Sequence, residues 1–272
     1  MMKGRLYLKL TFLIMIFLLS NNINSQDFEI SPATMNFNAE PGQTQTIPMN
    51  IINHSSQKSA FTVVLSDYII NKEGNKIIMP PASTEHSLVN WISINPPFFE
   101  LNPNESRQVI VSIQAPVGDY STKWAHINVR STTEQTASLA DKKLQTGMLV
   151  QGQIVVNAIQ SPRSNVNYKM KITSLAENTN INDTIRTFTA NIDNLGDKIS
   201  DCKVTLLASD LSNAKEYVLQ VIEFQVFPDS PRIIIMSFNK NALPKGTYSL
   251  AAILDYGPKA NLEGTQMMIT VD

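Results

Sequence analysis

The chain has 272 residues, with 22 basic and 23 acidic side chains, a net charge of −1, and 43% hydrophobic residues. That balance leaves no electrostatic footprint for nucleic acid and no polybasic patch for an anionic membrane, while the apolar fraction suffices for real cores. The single cysteine, Cys202, excludes an internal disulfide, so burial has to hold the protein together.

The first 25 residues read as a leader. Lys3, Arg5 and Lys9 form a basic start, residues 12–19 are an unbroken apolar run, and a short polar stretch ends at the small Ser25. This is the layout of a secretory signal peptide, with cleavage expected between Ser25 and Gln26. The run is too short to cross a bilayer, which takes about 20 apolar residues. No cysteine follows the leader to carry a lipid anchor, and no membrane insertion is expected after cleavage. The mature protein is therefore expected to be soluble and outside the cytoplasm. It would keep roughly 250 residues, one large domain or two of ordinary size.

Beyond the leader the chain reads as strands. Runs rich in Ile, Val, Phe and Thr alternate with polar residues at 46–52, 60–67, 108–114, 123–130, 148–159, 187–192, 203–209, 217–226, 232–238, 248–255 and 265–271. Turns of Pro, Gly, Asn and Asp separate them. The best helical candidate, 136–144, is polar and short. Many short strands spaced by turns imply a sandwich or barrel.

The punctuation occurs twice. Asn50-Ile51-Ile52-Asn53, a polar turn and the strand from Phe61 match Asn191-Ile192-Asp193-Asn194, a turn with Gly196 and the strand from Val204. Later, Pro103 to Arg107, a β run and Pro116-Val117-Gly118-Asp119-Tyr120 match Pro228 to Arg232, a β run and Leu243-Pro244-Lys245-Gly246-Thr247-Tyr248. A repeat of roughly a hundred residues means tandem domains rather than a solenoid of ~20–50-residue units. The fold class expected is all-β: two tandem immunoglobulin-like sandwiches, 26–160 and 161–272, with the boundary near Ser161-Pro162-Arg163. In such Greek-key sandwiches a corner tyrosine sends its hydroxyl back to the backbone, the role expected of Tyr120 and Tyr248.

Nothing in the sequence asks for catalysis, a cofactor or a metal. His54, His86 and His126 are scattered, without metal-ligand spacing. Asn191-x-Asp193-x-Leu195-Gly196 echoes a calcium loop but fails at its third position, and Cys202 stands where the closing Glu belongs. Nucleophile-elbow, zinc-protease and phosphate-loop motifs are absent, and carboxylates are spread singly. Cys202, Val204 and Leu206 alternate with Lys203 and Thr205, which puts Cys202 on the apolar face of a strand as a core residue.

The most functional-looking stretch is polar, runs from Arg130 to Gly147, and at about eighteen residues exceeds usual hairpin loops of ~2–5. The strand after it carries an apolar row, Met148, Val150, Ile154, Val156 and Ala158, with Gly152 between. Such a row could pair with another chain along its edge, or could be the last core strand of the first domain.

A family resemblance rests on these segments. Ile30-Ser31-Pro32, then Trp91-Ile92-Ser93, then Asn95-Pro96-Pro97-Phe98-Phe99-Glu100-Leu101-Asn102-Pro103-Asn104, the long polar segment and Gly152-Gln153-Ile154-Val155-Val156 resemble the first domain of periplasmic pilus-assembly chaperones. Pro244-Lys245-Gly246-Thr247-Tyr248, Leu254-Asp255-Tyr256-Gly257 and Leu262-Glu263-Gly264 look like the second domain of chaperone-like exported proteins. The resemblance implies a periplasmic protein whose partners are exported, pilin-like or surface subunits. It implies that the row Met148, Val150, Ile154 and Val156 is donated to a subunit that lacks a strand. The family anchors the subunit's terminal carboxylate with an Arg on the first strand and a Lys on the long strand. Here Thr34 stands about where the Arg would be, and 148–159 contain no Lys. The alternative reading is a cell-surface adhesion or scaffold protein that binds protein or cell-wall polymer through its sandwiches; an exported hydrolase is a third.

Overall fold

β-branched and aromatic side chains suit a pleated surface buried on one face, and their alternation with polar residues sets the architecture of the chain. The computed structural model describes residues 27–133, 152–180, 182–257 and 262–272. The expected leader, the helical candidate at 136–144, and Met148 and Val150 lie outside the described residues.

Among the described residues ten strands build the first sandwich: β1 (Phe28–Ser31), β2 (Thr34–Phe37), β3 (Thr44–Asn53), β4 (Ser59–Ile70), β5 (Lys76–Met79), β6 (Ile92–Asn95), β7 (Phe98–Leu101), β8 (Ser106–Gln114), β9 (Lys123–Thr133) and β10 (Gln153–Gln160). One sheet runs β1-β3-β8-β6 and the other β2-β10-β9-β4-β5, with β7 also on β4. The chain crosses between the sheets at Pro32 and Ala33, which separate β1 from β2. Seven strands build the second: β11 (Met170–Glu177), β12 (Ile185–Asn194), β13 (Ser200–Asp210), β14 (Glu216–Val226), β15 (Arg232–Asn239), β16 (Gly246–Asp255) and β17 (Glu263–Val271). They pair as β11-β12-β15 and β14-β13-β16-β17. The chain is therefore all-β, in two tandem immunoglobulin-like sandwiches.

Alternation decides which side chains are inside. In β8 the odd positions Val109, Val111 and Ile113 are fully buried, and in β13 the even positions Cys202, Val204, Leu206 and Ala208 are. Phe61 lies between Phe28, edge-on at 5.3 Å, and Phe99, stacked at 5.4 Å. Such a ring contributes several kcal/mol, and Phe61→Ala would cost about 3–5 kcal/mol by leaving a cavity. Several short or polar strands escaped the sequence: β5, β6 and β7 have four residues each, and β11 carries Lys171, Thr173 and Ser174. The polar segment expected to begin at Arg130 begins later, because β9 stays paired with β4 as far as Thr133.

The sandwiches meet in a small apolar joint. Tyr68, Ile70 and Trp124 of the first pack with Phe227 of the second, and Trp124 meets Phe227 edge-on at 5.1 Å. Polar ties surround it. Thr122 N–H donates to Asp197 Oδ2 at 3.0 Å, Lys198 Nζ donates to Ser161 Oγ at 2.7 Å, and Ile233 N–H donates to the Lys72 carbonyl at 2.7 Å. At the tip of the β4–β5 hairpin Gly74 has φ +91°, a conformation that favours glycine, and it lies against the Arg232 guanidinium of the second sandwich.

Candidate functional site

β10 is the strand on which the sequence argument converges, and its register shows where it is open. It pairs antiparallel with β9 along its whole length, from Gln153 opposite Arg130 to Gln160 opposite Lys123. On its other side it pairs with β2, in parallel, only from Asn157 to Gln160. Asn157 N–H donates to the Ala33 carbonyl at 3.2 Å and Ser161 N–H to the Phe37 carbonyl at 3.0 Å, whereas the Gly152 carbonyl accepts from Ser131 N–H on β9. Odd-numbered backbone groups therefore face β2 and even-numbered groups face β9. Gln153 and Val155 turn an amide and a carbonyl each toward a side on which no described strand lies. That is an open, paired-on-one-side edge of the kind that accepts an extended segment.

The side chains divide differently from the sequence expectation. Val156 and Ala158 are fully buried in the first core, and Ile154 packs against it partly buried. Val156 is thus committed to its own sandwich, which corrects its placement on a donated row: moving it out would leave a cavity. Ile154 stands at the margin. What β10 offers among the described residues is backbone at Gln153 and Val155.

The outer face of the same sheet carries a polar row that crosses five strands. Thr34 on β2 is the register partner of Asn157 on β10, and Asn157 is the partner of His126 on β9. The His126 ring stacks on Tyr68 of β4 with 4.0 Å between centroids. From β5, Lys76 reaches over the Tyr68 ring, its Nζ 4.8 Å from the centroid, and donates to Asn157 Oδ1 at 2.6 Å. The position that lacks a basic residue on β10 thus has an ammonium beside it, brought from a residue 81 positions away. Sequence reasoning missed it because only the pairing of β5 with β4 carries Lys76 there. Burial pushes the Lys76 ammonium below its ordinary range, so an anion arriving beside it would restore the charge balance. Burial first, and then the Lys76 charge, hold His126 down to about 4, opposed by its hydrogen bond with Asn157; this histidine is neutral at ordinary pH. Tyr68 Oη and His126 Nδ1 are buried and have no hydrogen-bond partner.

The corner tyrosines do not match each other. Tyr248 is fully buried, and its hydroxyl donates to the Pro244 carbonyl at 2.8 Å. Tyr120 is 54% exposed, and what it contributes is its carbonyl, which accepts from Asn165 Nδ2 at 3.0 Å. The corner role expected of Tyr120 is corrected: it precedes β9 by three residues, whereas Tyr248 lies inside β16. Cys202 is buried in the second core, where burial pushes its thiol up to about 12, helped by Asp201 and Asp255. Among the described residues no group of three or more His, Cys, Asp or Glu side chains could hold a metal ion, and no helix is long and apolar enough to cross a membrane.

No protein-family model and no curated protein matches the sequence. Among solved structures the chain is similar to one from a chaperone–tip adhesin complex of CFA/I fimbriae, with 11% identity, 89% of this chain and 97% of that chain covered, and a TM-score of 0.48. It is similar to the class 5 fimbriae chaperone CfaA, with 12% identity, 89% and 98% covered, and a TM-score of 0.47. It is also similar to the Escherichia coli chaperone DraB, with 12% identity, 88% and 98% covered, and a TM-score of 0.43.

Proposed function

We propose that this protein is a chaperone-like or assembly-accessory protein that works outside the cytoplasm, in the periplasm, and binds other exported proteins by strand addition along the open edge of β10. The observation that carries the reading is the half-covered register of β10: β2 lies beside it only from Asn157 onward, and among the described residues no strand pairs the outward backbone of Gln153 and Val155. An extended client segment laid there would continue the line of β2, with main-chain hydrogen bonds supplying affinity. Where it reached Thr34 and Asn157, the Lys76 ammonium would meet it, and a terminal carboxylate would receive a charge-assisted bond. Export itself rests on the leader read in residues 1–25.

Val155→Pro tests this. Proline removes the amide that faces the open edge, and the bonds to β9 are made by Ile154 and Val156, so the sandwich keeps its ladder. The variant should melt with the wild type but fail to retain the exported proteins that co-purify with it. A folded variant that retains them all would sink strand addition and put the adhesion or scaffold reading first.

A further inference from the structure

His86 is held so that both of its ring nitrogens meet oxygens that can only accept. Nδ1 lies 2.9 Å from the Thr122 carbonyl, and Nε2 lies 3.0 Å from Asp229 Oδ2. A neutral imidazole has one N–H and one lone pair, so it could satisfy one of these oxygens and would turn a lone pair on the other; imidazolium donates to both. Thr122 and His86 belong to the first sandwich, and Asp229 lies in the turn between β14 and β15 of the second.

The ring has little room to turn away. It stacks on Trp124 with 4.5 Å between centroids and 11° between planes, its side chain is 12% exposed, and its own carbonyl accepts from Trp124 N–H at 2.9 Å. Trp124 in turn packs against Phe227, two residues before Asp229. With the ring held, losing a proton would turn a lone pair on the Thr122 carbonyl or on Asp229, whose exposed side chain is free to leave.

We propose that His86 and Asp229 form a proton-dependent latch between the two sandwiches, closed while the ring carries both protons and released when it loses one. A ring with both protons would tighten the joint and a ring that has lost one would loosen it, so the joint should tighten as pH falls. The charged and titratable groups around the ring, among the described residues, are few. Asp229 faces it from the β14–β15 turn, and Asp197 from the β12–β13 loop, with its carboxylate on Thr122 N–H at 3.0 Å. Glu85 and Lys123 flank it on its own sandwich, with Lys123 Nζ on the Glu85 carbonyl at 2.7 Å. The latch concerns the joint and not the β10 edge, so its test needs no client.

Amide hydrogen exchange of the full chain near pH 5.5 and pH 8, corrected for the intrinsic pH dependence, reads the joint directly. The Thr122 and Ile233 amides bond across it, to Asp197 Oδ2 and the Lys72 carbonyl. In the wild type their protection should fall several-fold from the lower to the higher pH. In His86→Gln it should sit at the low value at both. Asp229→Asn should lose most of the change while keeping the turn, because residue 229 has φ +52°, a conformation that Asn tolerates well. Protection that is equal at the two pH values in the wild type, or that falls as much in His86→Gln, would overturn the latch. A full change in Asp229→Asn would overturn the part assigned to Asp229.

Discussion

Asn53 and Asn194 share three bonds in the two sandwiches. Each ends a long strand, β3 or β12, and each is almost completely buried. Each donates Nδ2 to the carbonyl four residues on, Gln57 at 2.9 Å and Lys198 at 2.8 Å. Each also reaches a carbonyl of another strand, Leu101 at 3.1 Å and Val226 at 3.3 Å, and accepts with Oδ1 from the amide two residues on, Ser55 or Gly196 at 3.0 Å. Replacing either by alanine removes these bonds from a turn packed against the core, which costs about 1–3 kcal/mol. In denaturant titrations Asn53→Ala should lower the transition of the first sandwich and Asn194→Ala that of the second.

The tyrosines should separate in the same kind of measurement. Tyr248→Phe deletes the bond to the Pro244 carbonyl in a closed corner and should lower the melting of the second sandwich by a few degrees. Tyr120→Phe, at a half-exposed ring, should change nothing measurable.

Acid should weaken the first sandwich through His126. Its folded-state value is held near 4, below the ~6.5 of an unfolded histidine. The unfolded chain therefore binds the extra proton between those values. The stabilisation is complete above about pH 6.5 and is lost as pH falls toward 4, on the order of 2–3 kcal/mol in all. Urea titrations at pH 7 and pH 4.5 should show a smaller difference for His126→Gln than for the wild type.

Lys76 should discriminate a charged chain end. An extended apolar peptide with a free terminal carboxylate should bind the wild type about tenfold more tightly than Lys76→Gln, the value of one charge-assisted bond. The same peptide with an amidated end should bind both alike. Calorimetric titration measures the difference, and equal affinities for the free acid would remove Lys76 from the site.

Cys202 should be inert. Its thiol is buried and pushed up to about 12, so a thiol reagent at neutral pH should react only at the rate at which the second sandwich opens. Sub-denaturing urea should speed the reaction, and a fast phase in its absence would contradict the burial.

Much of the fold was legible because alternation is a local signal. β8 and β13 announce their inward rows residue by residue, and the asparagine bonds explain why Asn50 to Asn53 and Asn191 to Asn194 repeat in the sequence. The candidate site was legible only as far as the strand that carries it. Whether Val156 faces inward or a client depends on how β9 and β2 register against it, and the row from Thr34 to Lys76 is assembled by five strands, several of them remote in sequence. Tyr120 misled for a related reason: its local context copies that of Tyr248, but the strand after it begins only at Lys123, and the inward row of that strand starts at Ala125.

Gln160 closes the first sandwich onto its own beginning. Its side chain accepts from Ala39 N–H at 3.1 Å and donates to the Ala39 carbonyl at 2.6 Å, across 121 residues, just where β10 lies beside β2. A chain delivered from its N-terminus would present β2 to its surroundings before β10 had emerged to cover it. Contacts of such long span are slow to form, and an uncovered strand meanwhile invites the β10 of a neighbouring copy. The first sandwich thus passes through a stage in which it needs the very kind of protection that its finished edge could offer to others.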